Sequence, residues 1–423
     1  MATHKARTSV ALTSTKHTKT SKQGVNWAEV RGQFKCTKER IQMANFQLTA
    51  HPKSVRKAIR KHRKGLDRSP VEYWEANAKH YDSDLIPQTA ARYLGCNSSE
   101  IAFTDSTTMG LGLLYGGFKL NAEDQVLTTT HCHYSTVKAL EFAADRVGAS
   151  VNSVSLYKQS AFASEAEIVA NFRNAISPNT RLVALTYVHS GTGVKLPIQK
   201  LSKIIALANK TRCKTKRIYL CVDAVHAFGI EDFNVQDLGC DYLVAGAHKW
   251  LFGPRGTGII WAKKDAWNMI CSIIPPFSRA MNIWMGITAD QPLDFRRMIT
   301  PGGFHSFEHR WALAEAFEFH LNIGKANIQN RTHELNRMLK KGIKCLPHIQ
   351  LYTPMSGEMS SGINCFEVQG MSPNAVVKKL LQHNIIASTS PYKKVLARLT
   401  PSIINTEGEI AQCLHVLEHI HIN

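Results

Sequence analysis

Between residues 101 and 262, seven short runs rich in β-branched and apolar residues alternate with longer stretches of helical spacing. They are IAFT at 101, QVLTT at 125, SVNSVSL at 150, RLVALTYV at 181, RIYLCVD at 217, DYLVAG at 241 and TGIIWA at 257. Strands separated by helix-length spacers build βαβ units, so the chain is expected to be α/β with a mainly parallel seven-stranded sheet. Several runs empty into turns rich in Ser, Thr, His or Gly. That places polar side chains at the carboxyl edge of the sheet, where ligands bind in such folds.

The 423 residues, 44% of them hydrophobic, are enough for two or three domain-sized units and exclude a small disulfide-stapled scaffold. From Gly302 the stretch GGFHSFEHRWALAEAFEFHLNIG starts a long helix, and helices around Asn374 to His383 and Glu407 to Ile420 accompany two or three further strands. The expected division is a basic disordered tail over 1–24, an N-terminal segment over 25–60 joining the small domain, a large domain over 61–300 and a small α+β domain over 301–423. No apolar run approaches the ~18 residues of a membrane helix. Ten Cys are scattered without a C-x-x-C pair, which fits a reducing, cytoplasmic setting and neither a disulfide framework nor a zinc ribbon.

The formal charge of +20 is concentrated at the start: residues 1–64 hold 16 Lys+Arg against Glu29 and Glu39, a net +14. The acid-free, Ser/Thr-rich residues 1–24 read as a solvated tail, with an organellar transit peptide as the other reading. HPKSVRKAIRKHRK, ending at Lys64, has the spacing of an amphipathic helix. It lacks interleaved aromatics for base stacking, so nucleic acid is not the expected partner.

The chemistry concentrates in VDAVHAFG (Val222 to Gly229) and VAGAHKWLFGPRGTG (Val244 to Gly258). Asp223 ends one strand, and Lys249 follows the next, crowded by apolar neighbours and other bases. There an amine loses its proton more readily and becomes a nucleophile. Pyridoxal phosphate chemistry needs such a lysine to form a Schiff base and an acid to keep the pyridine nitrogen protonated. TDSTTMGLG (Thr104 to Gly112) follows a strand and opens a helix, offering hydroxyls and free amides to an anion. The H-x-H of THCHYST lacks carboxylate or thiolate partners at suitable spacing, so no metal site is expected.

These motifs resemble the class V aminotransferase family of fold-type I pyridoxal phosphate enzymes, from about Trp27 to the C-terminus and in the family's order. Ala247 to Gly258 is most similar to the isopenicillin N epimerase-like branch. The resemblance implies that Lys249 carries the cofactor, Asp223 holds its pyridine nitrogen, and Thr107, Thr108 and His248 hold its phosphate. It also implies that His133, with Tyr134 as the alternative, stacks on the ring, and that Ser190 and His226 lie near the phenolic oxygen. The family's hydroxyl residue near Gly246 and Ala247 is missing here. In VLARLTPSIINTEGEI, Arg398 takes the place of the arginine that grips the substrate α-carboxylate.

What the resemblance implies in function is a homodimeric enzyme acting on an α-amino acid through an external aldimine and a Cα carbanion. Epimerase or aminotransferase chemistry is the first expectation, and a carbon–sulfur lyase of the hercynylcysteine sulfoxide type the alternative. A non-catalytic or nucleic-acid-associated protein on a borrowed fold is the reading from another class. Cysteine desulfurases use a loop Cys shortly before that arginine; HNIIASTSPYKKVLA has none, and the nearest upstream is Cys365 within an expected strand.

Overall fold

The computed structural model describes residues 24–37, 39–277, 279–287 and 298–420, so the expected tail lies outside the described residues but for Gly24. Its strands are β1 (Ile41–Gln42), β2 (Ile101–Thr104), β3 (Gln125–Thr129), β4 (Ser150–Val154), β5 (Thr180–Thr186), β6 (Tyr219–Asp223), β7 (Tyr242–Gly246) and β8 (Gly258–Ala262), followed by β9 (Ile349–Leu351), β10 (Asn364–Val368), β11 (Ile385–Ile386), β12 (Ser388–Thr389) and β13 (Ala397–Leu399). The seven runs read from the sequence form one sheet in the order β2-β8-β7-β6-β5-β3-β4. It is parallel throughout except for β8, which runs antiparallel to β2 and β7.

The sheet is covered on both faces, as parallel sheets must be. Alternate residues go to opposite sides: Val183, Leu185, Leu220, Val222, Leu243 and Ala245 enter one apolar core, while Leu182, Ala184, Cys221 and Val244 enter another. Period-two alternation of two apolar sets explains why these strands read as continuous apolar runs. Each fully buried aliphatic side chain contributes ~1.5–3 kcal/mol of transfer free energy.

The C-terminal part carries an antiparallel sheet in the order β12-β13-β10-β9. β1 pairs in parallel with β11, Ile41 opposite Ile385, which fastens the N-terminal segment to the C-terminal part. Residues just after 301 pack differently from the division expected at that point. Trp311, Leu313 and Phe317, on the helices Phe307–Trp311 and Leu313–Ile323, join the same core as Val55, Ile86 and Tyr93. Only the next helix, Lys325–Lys344, turns its apolar face to the smaller sheet, through Leu335, Leu339 and Ile343 against Phe366, Val376 and Leu399. The amphipathic faces, not the start of the helical pattern, decide where the chain changes partners.

Candidate active site

β6 and β7 are adjacent and parallel, with Asp223 in register opposite Val244. Their carboxyl ends therefore deliver Asp223 and, three residues past Gly246, Lys249 to the same edge. Lys249 sits on a tight loop whose carbonyls are held from outside: Thr49 Oγ1 donates to the carbonyls of His248 and Lys249, each at 3.1 Å. Gly229 lets this loop close on the turn after β6. Its φ is +94°, and a Cβ there would stand 2.5 Å from the Leu251 amide nitrogen, a position only glycine tolerates.

Asp223 is 2% exposed. Its Oδ1 accepts from the Val225 amide at 3.1 Å and its Oδ2 from the Thr136 hydroxyl at 3.3 Å. Burial pushes its carboxyl above the usual range, against these bonds and the nearby Lys249. The lysine amine is held down to about 8, first by burial and then by Arg398, with Asp223 acting in the opposite direction. Both groups are moved toward their neutral forms by desolvation, the condition in which a lysine becomes a nucleophile near neutral pH.

Around this pair the other expected residues fall into three groups. On the phosphate side, Ser106 caps the helix Thr107–Gly117 by accepting from Met109 N. The first-turn amides of Thr107 and Thr108 are left for an anion. Thr107 is buried and its Oγ1 accepts from Gly246 N at 2.7 Å, whereas Thr108 is exposed. Thr107 thus takes up the amide beside the position where the family's hydroxyl is missing. His248 is partly buried, and its Nδ1 is shielded from water with no hydrogen-bond partner.

On the ring side, His133 caps the helix Tyr134–Asp145, and the Ser135 amide donates to its Nδ1 at 3.2 Å, leaving the proton of the neutral ring on Nε2. Tyr134 is 68% exposed, so the inward position of the pair is that of His133. His226 is buried, its Nδ1 accepts from Trp250 Nε1 at 3.3 Å, and desolvation holds it neutral.

On the substrate side, Arg398 lies on β13, 4% exposed, with its guanidinium 4.2 Å over the Phe46 ring. Nη1 donates to the Ser190 carbonyl at 2.8 Å and Nη2 to the Thr389 carbonyl at 2.6 Å, while Nε is buried without a partner. Those bonds fix the plane of the guanidinium and leave three of its five N–H groups free. Ser190 shares its hydroxyl with the phenol of Tyr392 at 2.7 Å, a partner that sequence reasoning missed. Phe46 and Thr49 reach the site from outside the motifs, while Thr136 ends THCHYST and Tyr392 lies in HNIIASTSPYKKVLA, positions to which those motifs assign no role. Cys365, on β10, is buried and its thiol is pushed up to about 12.

Pyridoxal phosphate fits this set. The unpartnered His248 Nδ1 and the open helix turn at Thr107 suit its phosphate, and the buried Asp223 suits its pyridine nitrogen. The family model for aminotransferase class-V matches residues 86–391. A probable cysteine desulfurase of Synechocystis is 25% identical over 357 residues, covering 79% of each chain. A cysteine desulfurase of Cronobacter sakazakii is 24% identical over 351 residues, 80% of this chain and 82% of its own. Among solved structures, C-DES with glycine covalently linked to its PLP cofactor superposes with a TM-score of 0.80 at 20% identity, covering 92% of this chain and 99% of that one. The apo cysteine desulfurase of Thermococcus onnurineus gives 0.76 at 22% identity, covering 92% and 97%. C-DES is also described as a cystine C–S lyase. On the family match, the chain belongs to the aminotransferase class-V family of enzymes, whose cofactor is pyridoxal phosphate.

Proposed function

We propose that this enzyme takes the Cα proton from an α-amino acid and that a carbon–sulfur bond at the β-position then breaks. The observation that carries the first part is the half-buried Lys249, its amine lowered to about 8 by desolvation, with Asp223 and Arg398 acting on it in opposite directions. Bound pyridoxal phosphate supplies an electron sink for the pair left when a Cα bond breaks. Lys249, Asp223, Thr107, Thr108, His133, Ser190, His226 and His248 are the residues that would hold it. Arg398 binds and orients the α-carboxylate through its free N–H groups. Lys249 then receives the Cα proton at Nζ as general base. Neutral His133 and His226 each carry a proton on Nε2, given their Nδ1 partners, and donate hydrogen bonds without adding charge.

The lyase outcome is favoured over epimerisation or transamination by the relatives, cysteine desulfurases and a cystine C–S lyase. Sulfur transfer onto a loop thiol is not part of the proposal, because the loop between β12 and β13 carries Tyr392 and no Cys, and Cys365 is buried and neutral. Product analysis with a β-thio-substituted amino acid tests the reading: a 2-oxo acid, ammonia and the sulfur leaving group support it. Inverted substrate alone, or amino-group transfer to an added oxo acid, supports the epimerase or aminotransferase reading.

A second copy of this chain is the proposed partner. Trp74, Phe277, Met281 and Phe304 line one cavity and stay partly exposed, Phe304 by 82%. Apolar surface of this kind marks a protein interface. Among the described residues no helix is long and apolar enough to cross a membrane.

A further inference from the structure

A cavity of about 550 Å³ opens beside the cofactor chamber, between the residues after β3 and β4, the turn at His189 to Thr192 and the loop between β12 and β13. Tyr392 belongs to both spaces. Its phenol meets Ser190 at 2.7 Å, its ring lies 6.2 Å edge-on from His133, and it also lines the cavity. The ring is seated by an absence: a Cβ on Gly191 would stand 2.8 Å from Tyr392 Cδ2. The loop that carries it is closed on itself, Ser390 N donating to the Leu396 carbonyl at 2.8 Å and Leu396 N to Ser390 Oγ at 2.9 Å. Tyr392 is therefore a built wall, not a loose surface residue.

The far side of that wall has one sign of charge. Lys158, Lys393 and Lys394 line the cavity and no carboxylate does. Lys394 has Glu367 at 3.4 Å and the Lys158 backbone amide donates to Glu167 at 3.0 Å, whereas the ammonium groups of Lys158 and Lys393 make no ion pair among the described residues. The floor is rigid and polar. His131 stacks on Tyr157 at 3.9 Å and 6°, and the Tyr157 hydroxyl lies 2.9 Å from both His189 Nδ1 and Thr192 Oγ1. His189 itself is buried, its Nδ1 tied to that hydroxyl.

We propose that this cavity is the side-chain subsite of the enzyme, and that it takes an α-amino acid whose side chain is longer than that of cysteine and ends in an anionic group such as a carboxylate. The proposal rests on the amino-acid reading of the site. With the α-carboxylate on Arg398, the side chain passes Tyr392, and its anionic end meets Lys158 and Lys393. Tyr392 sets the length: a short side chain stops at the ring and gains nothing from the lysines. Tyr392 is a specificity residue here, and Lys158 and Lys393 stand outside the cofactor machinery.

The experiment is equilibrium binding to the holoenzyme, read as the change in the cofactor's visible band, for alanine, cysteine, glutamate, 2-aminoadipate and the neutral norleucine. The wild type should bind 2-aminoadipate more tightly than norleucine, on the order of tenfold at low salt, with the gap closing as salt rises. Lys158→Gln with Lys393→Gln should erase the gap and leave alanine binding unchanged. A Tyr392→Ala variant should shift the preferred length without removing the preference for charge. Equal binding of 2-aminoadipate and norleucine by the wild type, or a gap that survives in the double lysine variant, overturns the subsite. If no amino acid at all perturbs the band, the amino-acid reading itself has failed, and the subsite with it.

Discussion

Thr136 donates its hydroxyl to Asp223 across 3.3 Å, both side chains being buried. That bond and the Val225 amide hold the carboxylate in one orientation at the end of β6 and resist the rise that burial imposes on its pKa. Asp223→Asn keeps the shape and loses the charge, so turnover should fall by far more than cofactor binding. Thr136→Val should move turnover in the same direction by less, about 1 kcal/mol in barrier for one lost hydrogen bond. Steady-state kinetics beside a cofactor titration checks both; an Asn variant with near-normal turnover contradicts the role.

The amine of Lys249, lowered from its usual 10.5 to about 8, is neutral above that pH and protonated below it. The rate of covalent cofactor uptake by the apoenzyme should therefore climb between about pH 7 and 9 and level off above. Arg398 lies among the causes of the lowering, so Arg398→Leu should move this profile to higher pH. Stopped-flow absorbance over a pH series reads both, and a profile that the Arg398 substitution leaves in place contradicts the coupling.

Arg398→Leu should also weaken α-amino acids by about 1.5–3 kcal/mol, the size of a charge-assisted bond. Arg398→Lys should rescue only part, since an ammonium cannot offer two parallel donors. The matching decarboxylated amines should be unaffected. If the wild type binds acid and amine equally, the guanidinium does not grip a carboxylate.

Gly229→Ala forces a φ of +94° on an L side chain and places Cβ 2.5 Å from the backbone of the loop bearing Lys249. The strain amounts to about 2 kcal/mol or more, and it falls on the nucleophile's own support. The variant should lose melting temperature and cofactor uptake together. Normal uptake in a destabilised variant would separate the two.

Phe304→Asp, placed on the exposed apolar cavity, should convert a dimer to a monomer in light scattering. A wild type that is monomeric at micromolar concentration removes the proposed partner.

The sheet was legible because most of its strands are β-branched or apolar runs with their own turns, β4 alternating SVNSV instead, and Asp223 and Lys249 because a strand end followed by a charged residue stands out in one dimension. Tyr392 was not. SPYKK has the composition of a surface turn, and only the closure of residues 390–396 and the missing side chain of Gly191 carry the ring inward. That this loop has no Cys says nothing of the ring it carries. The packing of Trp311 and Phe317 onto the large core was illegible for a related reason: an amphipathic helix declares an apolar face, not which core receives it. Arg398 was readable from its buried neighbours, but the two carbonyls that fix its plane come from Ser190 and from Thr389 on β12, and a backbone carbonyl carries no sequence signal.

Among the described residues two lysines are lowered to about 8 by desolvation, the half-buried Lys249 and the buried Lys340. Lys340 spends its ammonium on the carbonyls of Pro354 and Met355 and on Ser360 Oγ, so it is a structural clamp and an internal control for reactivity. Borohydride reduction of the holoenzyme followed by peptide mapping therefore tests the central claim directly. The account predicts a cofactor adduct on Lys249 alone, abolished in Lys249→Ala; an adduct on Lys340 or any other lysine, or none, contradicts it.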